Sequence, residues 1–392
     1  MSVTDVRQRL SRLAQVLPPS GIRRFFDLVA TMPDAITLGV GEPDFATPWH
    51  ICNAMLHALR RGETHYTSNL GLEELRREIA RMLEEDFGVG YDPEREVLVT
   101  SGVSEAIDLA VRALVDPGDE VIVPEPCYVS YKACAFLAGA EPVVVPTRAE
   151  DGFRLRPEAL QAVLTPRTKA VILGYPSNPT GATMPRAELA GIARVVSEAD
   201  LLVIFDEIYA YLTYEGEHTC FASLPGMRER TILLNGFSKA YAMTGWRVGF
   251  AAAPADIIQA MTKIHGYTAL CAPVTAQVGA LEALRRGAPD RQAMVAQYDQ
   301  RRRFLVKALN DIGLDCPTPQ GAFYTFPSVA RSGLRSEPFC EQLLREQQVA
   351  AVPGTAFGEC GEGHIRCTYA TSMDQLREAV RRLAAFVTPR LR

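Results

Sequence analysis

Short runs of apolar residues alternate with amphipathic segments along the middle of the chain. The apolar runs lie at positions 97–100, 121–123, 143–145, 170–173, 201–205, 231–234 and 248–252. Unbroken apolar runs separated by helical segments are typical of a mainly parallel β-sheet that helices cover on both faces. The pattern therefore predicts an α/β fold, in which a ligand would bind beyond the carboxyl ends of the strands.

The N-terminal segment has a helical pattern of its own. Val6, Leu10, Leu13 and Leu17 recur at helical spacing, and Pro18 then stops the helix. This helix lies ahead of the first globular segment. We therefore predict an N-terminal arm that can cross to another subunit.

The pattern changes again towards the C-terminus. Long charged helices are predicted at 291–309 and 373–387, with a strand at 321–324 between them. A smaller α+β lobe is expected there, because a chain of 392 residues exceeds the usual size of one hydrophobic core. The predicted divisions are an N-terminal arm with part of the small domain at 1–45, a large domain at 46–284 and a small C-terminal domain at 285–392.

The composition is that of an ordinary globular protein, with 47% hydrophobic and 22% charged residues. A net charge of -5 gives no electrostatic reason to expect a nucleic-acid partner. No apolar run has the length of a signal peptide core or a membrane span, so a soluble cytoplasmic protein is expected. The nine cysteines form no C-x-x-C pair and the six histidines show no ligand spacing, which argues against disulfides and metal sites.

One predicted strand runs directly into a segment of small residues, 101–104, and then into a helix. Free backbone N–H groups at a helix N-terminus bind phosphate, although a small-residue turn that only caps the helix also explains the segment. Positions 102–106 differ by one residue from the G-x-S-x-G nucleophile elbow of hydrolases. A hydrolase with Ser104 as nucleophile would need histidine and acid partners, and His265 and His364 lie in no supporting motif.

Polar residues follow two other predicted strands. Asn178 lies in a Tyr-Pro-Ser-Asn-Pro-Thr-Gly segment, and Asp206 and Tyr209 follow the strand at 201–205. A carboxylate here could hold a ring nitrogen in its protonated form, while an amide and a hydroxyl could bond a phenolic oxygen. An ordinary Asn-Pro turn and a helix cap are the alternative interpretations of Asn178 and Asp206.

Lys239 lies among small residues just beyond the strand at 231–234. Desolvation at such a place lowers the pKa of a lysine and makes its neutral amine available for imine chemistry, whereas a solvated surface lysine would have no such role. Arg247 leads into another apolar strand. Its charge needs a partner there, and a phosphate would serve.

Together these segments resemble the fold-type I aminotransferases that depend on pyridoxal 5'-phosphate (PLP), in the aspartate and aromatic aminotransferase superfamily of classes I and II. The block at 238–247 is the most specific part, and it occurs in order with segments 41–45, 178–181 and 206–209 and with Arg366. The resemblance extends over essentially the whole chain. It implies a large PLP-binding lobe with a seven-stranded, mainly parallel sheet, a smaller α+β lobe, and a homodimer with shared active sites.

The resemblance also implies a role for each matching residue. Lys239 would form the Schiff base with PLP and move the proton between the substrate Cα and the cofactor C4′, and Asp206 would pair with the ring nitrogen. Arg366 would clamp the substrate α-carboxylate in a two-pronged ion pair, assisted by Asn178 and the Gly41 backbone. The further contacts that it implies are Asn178 and the catalytic Tyr209 at the ring oxygen, Tyr128 on the ring face, Val103, Ser104, Ser238 and Arg247 at the phosphate, and Tyr66 from the other subunit.

The implied reaction is ping-pong transamination, in which an L-amino acid converts PLP to its pyridoxamine form and a 2-oxo acid takes the amino group. Segments 321–324 and 352–358 look most like the archaeal-type aromatic or broad-range subgroup. Aromatic or other large uncharged donors, with 2-oxoglutarate as acceptor, are therefore expected. Some aspartate-specific relatives carry a lysine where this chain has Ser104, although Arg23 could supply a charge for a distal carboxylate.

Other functions stay open at this point. Some relatives use the same scaffold for β-elimination or ring-forming chemistry, so a PLP lyase or a specialised-metabolism synthase is one alternative, and an aspartate-preferring aminotransferase is another. A PLP-binding regulatory module usually carries an attached DNA-binding domain, for which we expect this chain to have no room.

Overall fold

The computed structural model describes residues 6–19, 21, 32 and 34–391. Its strands are β1 Ile36–Thr37, β2 Val97–Thr100, β3 Glu120–Glu125, β4 Glu141–Pro146, β5 Thr168–Gly174, β6 Leu202–Asp206, β7 Thr231–Gly236, β8 Gly249–Ala252, β9 Tyr324–Thr325, β10 Val349–Ala350, β11 Val352–Pro353 and β12 Ile365–Thr368. Its α-helices are α1 Arg12–Val16, α2 Trp49–Arg60, α3 Glu73–Phe87, α4 Val103–Leu114, α5 Ser130–Leu137, α6 Pro157–Ala162, α7 Arg186–Glu198, α8 Ala255–Thr268, α9 Val274–Arg286, α10 Ala288–Asp311, α11 Ser336–Gln347 and α12 Met373–Val387.

The large lobe is built on a seven-stranded sheet with the order β2-β8-β7-β6-β5-β3-β4. Neighbouring strands from β7 to β4 are parallel, while β8 runs antiparallel to both β7 and β2. The seven apolar runs of the sequence are the seven strands of this sheet. The predicted α/β fold with a mainly parallel sheet is therefore confirmed.

Helices cover both faces of the large sheet. In β5, Ile172 packs in the same cluster as Ile107 of α4 and Ile258 of α8, whereas the preceding Val171 packs with Ile192 of α7 on the opposite face. Successive side chains of a strand point to opposite faces, so a strand covered on both sides needs an apolar residue at every position. This explains why the sequence shows unbroken apolar runs instead of alternation.

The small lobe combines the antiparallel sheet β11-β12-β9 with helices α10, α11 and α12. The segment that precedes the large lobe is also part of the small lobe, because its strand β1 pairs in parallel with β10. The two long helices predicted at 291–309 and 373–387 are confirmed as α10 and α12. Helix α12 begins after Ser372, whose side-chain oxygen accepts a hydrogen bond from the backbone N–H of Gln375.

Two local predictions are wrong. The N-terminal arm is not one helix, because the Ser11 side chain accepts a hydrogen bond from the Ala14 N–H and so starts α1 after a separate 3-10 turn at Val6–Arg9. The strand predicted at 321–324 is displaced to β9. Its first residue, Gly321, instead donates its backbone N–H to the Gly181 carbonyl of the large lobe.

The described part of the chain shows neither a cross-link nor a cluster of metal ligands. All nine cysteines lie within it and are free. Among the same residues, no three histidine, cysteine or acidic side chains are grouped so that they could hold an ion. No helix in residues 6–19 or 34–391 combines the length and the apolar character needed to cross a bilayer.

Candidate active site

A cavity of about 760 Å³ is lined by residues of both lobes, near the carboxyl ends of β5, β6 and β7. The structure brings eleven of the twelve predicted site residues to this cavity. They are Gly41, Val103, Ser104, Tyr128, Asn178, Asp206, Tyr209, Ser238, Lys239, Arg247 and Arg366. The twelfth, Tyr66, does not line the cavity, and 82% of its surface is exposed.

Lys239 lies in the turn that follows β7, where its side chain is partly buried. Its ammonium donates a hydrogen bond of 2.6 Å to the Gly41 carbonyl. Loss of solvent around the amine, together with the positive charge of Arg366, lowers the pKa of Lys239 to about 8. More of this lysine is therefore neutral, and nucleophilic, near physiological pH than of an ordinary solvated lysine.

Asp206 is the last residue of β6, and only 5% of it is exposed. One carboxylate oxygen accepts a hydrogen bond of 2.9 Å from the Tyr131 hydroxyl, and the other accepts one of 3.1 Å from the Ile208 N–H. Burial nevertheless dominates over these hydrogen bonds and raises the pKa of Asp206 to about 6. The ionised carboxylate would therefore gain from a cation placed beside it.

Arg366 lies in β12, and 2% of it is exposed. Its guanidinium donates to the Asn178 side-chain oxygen at 2.8 Å and to the Gly39 carbonyl at 2.6 Å, while its Nε has no hydrogen-bond partner. The rings of Tyr324 and Phe357 lie on it with centroids at 4.4 and 4.7 Å. Within the described residues it has no carboxylate partner, and burial lowers its pKa.

Two glycines shape the segment that leads into α4. Gly102 has a φ of +79°, and a Cβ added there would lie 2.7 Å from the Arg247 guanidinium. A Cβ at Gly249 would lie 2.8 Å from the backbone nitrogen of Val103. Arg247 donates to the Thr244 carbonyl at 3.1 Å and pairs with no carboxylate of the described chain. The first residues of α4 and Arg247 thus line the same cavity. The backbone N–H groups of those first residues have no partner inside the helix.

The interpretation of Ser104 as a hydrolase nucleophile is wrong. His265 is fully buried, and its Nδ1 lies 2.8 Å from a carboxylate oxygen of Glu105. His364 stacks on Phe326 with ring centroids 5.1 Å apart. Neither histidine lines the cavity that contains Ser104, and His265 is paired with Glu105 instead.

Two tyrosines of the cavity were not predicted as site residues. Tyr131 donates to Asp206, and the Tyr324 hydroxyl lies 2.8 Å from that of Tyr209. A signal for Tyr131 was present, because it lies three positions after the predicted site residue Tyr128, and the two rings are in edge contact with centroids 5.7 Å apart. Tyr324 is 115 positions from Tyr209, and no local pattern connects the two.

Residues 33–383 match the family described as Aminotransferase class I and II. The chain is 45% identical over 377 residues to an aspartate aminotransferase of Pyrococcus abyssi, a match that covers 95% of this chain and 97% of that protein. It is 42% identical over 377 residues to aromatic-amino-acid aminotransferase 2 of Thermococcus litoralis, with the same coverage of 95% and 97%. The structure is also similar to a crystal structure of an aromatic aminotransferase from Pyrococcus horikoshii, with a TM-score of 0.90, 44% identity, and coverage of 93% of this chain and 99% of that one.

Proposed function

The chain belongs to the class I and II aminotransferase family, and we propose that it transfers the amino group of an L-amino acid to a 2-oxo acid with PLP bound in the cavity. One observation carries this proposal. Arg366 is a buried cation without a carboxylate partner in the described chain, and it lines the same cavity as Lys239 and Asp206. PLP, when bound, would supply the electron sink that makes the Cα–H bond of an amino acid acidic.

The phosphate of PLP would fit the end of the cavity formed by α4 and Arg247. The amides of Val103 and Ser104 are the first of the helix and have no partner within it. The Ser238 hydroxyl lines the same cavity, and Arg247 has no carboxylate partner among the described residues. A dianion there would receive several N–H donors, a hydroxyl and a guanidinium fork.

The ring of PLP would fit the buried polar groups beyond β5 and β6. Asp206, whose ionised form is disfavoured by burial, would be paired with a protonated ring nitrogen and would keep that nitrogen protonated. The Asn178 oxygen is already occupied by Arg366, which leaves its NH₂ group to donate to the ring oxygen. Tyr209 would donate to the same oxygen, and Tyr128 would pack on the ring face.

Lys239 would perform two tasks. Its neutral amine, which its lowered pKa makes available, would condense with the aldehyde of PLP, with water as the leaving group. When it is not joined to the cofactor, the same amine would serve as the base that takes the proton from the substrate Cα. The Gly41 carbonyl accepts a hydrogen bond of 2.6 Å from the ammonium and would hold the side chain in the cavity before a cofactor binds.

Arg366 would hold the α-carboxylate of the substrate. Two of its nitrogens are fixed by Asn178 and Gly39, so its plane is already oriented before a ligand arrives. A carboxylate would satisfy the donors that remain and would supply the counter-charge that the buried guanidinium lacks. Orientation in advance reduces the entropy that binding would otherwise lose.

We propose that aromatic or other large uncharged amino acids are better donors than aspartate. Among the residues that the structure describes, the cations that line the cavity are Lys239, Arg247 and Arg366, and each is assigned to PLP or to the α-carboxylate. Ser104 carries no charge that could meet a distal carboxylate. Arg23, the alternative source of such a charge for aspartate and for 2-oxoglutarate as acceptor, lies outside the described residues.

The proposal is tested with the purified protein loaded with PLP. Phenylalanine, tyrosine, methionine, alanine and aspartate are added one at a time, and kcat/KM is measured with 2-oxoglutarate as acceptor. We expect amino-acid-dependent loss of the visible cofactor absorbance and its recovery on adding the 2-oxo acid. Release of pyruvate and ammonia without an acceptor would instead identify a lyase, and aspartate ahead by roughly a hundredfold would refute the donor preference.

We further propose a homodimer in which Tyr66 of one subunit completes the phosphate site of the other. The Tyr66 side chain is 82% exposed and lines no part of the cavity in its own chain. Trp49 and Tyr267 are also large and exposed, at 71% and 96%. Exposed aromatic side chains of this size are typical of surfaces that become buried on association.

A further inference from the structure

We propose that Tyr324 is a positioning residue that determines how strongly the Tyr209 hydroxyl donates a hydrogen bond into the cavity. This inference rests on the proposed function, because it takes the ring oxygen of PLP as the acceptor of that hydrogen bond. The two hydroxyls lie 2.8 Å apart. Tyr324 is fully buried and Tyr209 is 5% exposed, so their contact lies in a largely desolvated environment, in which a hydrogen bond is stronger than in water.

The two tyrosines belong to different lobes. Tyr209 follows β6 of the large sheet, whereas Tyr324 is the first residue of β9 in the small lobe. Tyr324 pairs with Thr368 of β12, two positions beyond Arg366. The hydrogen bond between the hydroxyls therefore joins the strand pair that carries the carboxylate-binding arginine to the residue assigned to the cofactor ring.

The Tyr324 side chain is held in place on several sides. Its ring lies edge-on to Phe323, with centroids 4.8 Å apart, and the Arg366 guanidinium lies 4.4 Å from its centre. A Cβ added at Gly41 would lie 2.8 Å from its hydroxyl oxygen, so the backbone approaches closely there. A ring fixed in this way cannot withdraw its hydroxyl from Tyr209 without moving the surrounding core.

The number of hydroxyl protons determines the direction of the hydrogen bond. Each tyrosine has one O–H donor, so Tyr209 donates either to Tyr324 or into the cavity. If Tyr209 donates to the ring oxygen, Tyr324 must donate to Tyr209. Chains of hydrogen bonds polarise one another, so this arrangement strengthens the Tyr209 O–H as a donor.

The test is the Tyr324→Phe variant, titrated with pH in its PLP-loaded form while the visible absorbance of the cofactor is followed. A strong donor at the ring oxygen favours its deprotonated form. Loss of the Tyr324 hydroxyl should therefore raise the midpoint of this titration, by roughly 0.5–1 pH unit for one hydrogen bond of ordinary strength. An unchanged midpoint overturns the inference.

Tyr298→Phe is the matched control. Tyr298 is 1% exposed, packs on Phe323 at 5.6 Å in the same core, and its hydroxyl has no hydrogen-bond partner among the described residues. Its variant loses the same atom from the same core, so its midpoint should equal that of the unmodified protein. An equal shift in both variants would indicate a general packing effect and would also overturn the inference.

A double-mutant cycle shows whether Tyr324 acts through Tyr209. In a Tyr209→Phe background, the further change Tyr324→Phe should not move the midpoint, and a shift of the same size as in the single variant would contradict the proposed route. Failure of the proposed function is distinguishable from these outcomes. In that case the unmodified protein itself would show no cofactor absorbance that responds to amino acids.

Discussion

At the residue scale, burial moves the ionisable groups of the cavity towards their neutral forms. It lowers the pKa of Lys239 to about 8 and raises that of Asp206 to about 6. Arg366 stays charged, because a guanidinium is not deprotonated in proteins, although burial lowers its pKa as well. The cavity is thus prepared for ligands that bring the missing opposite charges, which are an anion for Arg366 and a cation for Asp206.

The lowered pKa of Lys239 predicts how cofactor attachment depends on pH. Only the neutral amine attacks an aldehyde, so the rate of covalent attachment of PLP to the unloaded protein should rise with pH and level off above about 8. The rate is measured from the change in absorbance after mixing. Lys239→Ala should show no attachment by borohydride reduction and peptide mapping. A midpoint near 10, the range of an ordinary lysine, would show that burial does not affect this amine.

Arg366→Lys should weaken the use of every amino acid substrate. A lysine supplies a point charge and cannot reproduce the planar pair of hydrogen bonds to a carboxylate. The expected loss of transition-state stabilisation is about 1.5–3 kcal/mol. It is calculated from the ratio of kcat/KM values, measured by steady-state kinetics with several donors. Arg382→Lys, which changes an arginine of α12 that pairs with Glu378 and does not line the cavity, is the control and should leave kcat/KM unchanged. Equal kcat/KM in the two variants would remove Arg366 from the substrate site.

At the scale of elements, backbone conformation determines how α4 and Arg247 reach the same end of the cavity. Strand β2 ends at Thr100, Gly102 turns the chain with a φ of +79°, and α4 starts at Val103. Arg247 also adopts a left-handed conformation, with a φ of +55°, before β8. Because the chain bends at Gly102 before α4 and at Arg247 before β8, the Arg247 guanidinium and the first amides of α4 reach the same cavity.

Gly102→Ala should weaken PLP binding beyond its cost in stability. An added Cβ has to occupy a conformation of φ +79° and ψ 165°, which is essentially restricted to glycine and costs about 1–3 kcal/mol in other residues, and it also lies 2.7 Å from the Arg247 guanidinium. Gly62→Ala is the control, because Gly62 has a φ of +77° and open space around its Cβ position. Thermal unfolding of the unloaded proteins should show a loss of stability in both variants, whereas the Kd for PLP should rise only for Gly102→Ala. An equal Kd for PLP in the two variants would mean that the contact between the added Cβ and Arg247 does not affect PLP binding.

At the scale of the whole molecule, the cavity depends on the packing of two lobes. Tyr324 and Arg366 come from strands β9 and β12, and Gly41 follows β1, which pairs with the small lobe. Asp206 is the last residue of β6 and Lys239 follows β7, both in the large lobe. A change in the relative position of the lobes would therefore alter the distance between Arg366 and Lys239.

The proposed homodimer is tested by mixing two defective variants. Lys239→Ala homodimers should be inactive, and Tyr66→Phe homodimers should need more PLP, because a hydrogen bond to a charged phosphate is worth about 1.5–3 kcal/mol. In mixed dimers, one site would combine native Lys239 with the native Tyr66 of the other chain. At limiting PLP, the mixture should therefore be more active than either homodimer alone. No gain in the mixture, or a monomer in sedimentation, would contradict a shared site.

The sequence by itself determined the fold class and most of the polar groups of the cavity. Buried parallel strands produce unbroken apolar runs, and the chain that leaves each run at the carboxyl edge of the sheet must contribute to the site. Asn178, Asp206 and Lys239 follow such runs, so their positions could be inferred from local order along the chain. The resemblance of the motifs to a known family then supplied a role for each.

Only the tertiary structure decided which distant groups meet. The pair of Tyr209 and Tyr324, the hydrogen bond from Tyr131 to Asp206, and the contact of Arg366 with Asn178 join segments that are 115, 75 and 188 positions apart. Local periodicity carries no information about such contacts, because they depend on how the elements of the large lobe and the two lobes pack. Burial, which sets the pKa values of these groups, is likewise a property of the packed molecule.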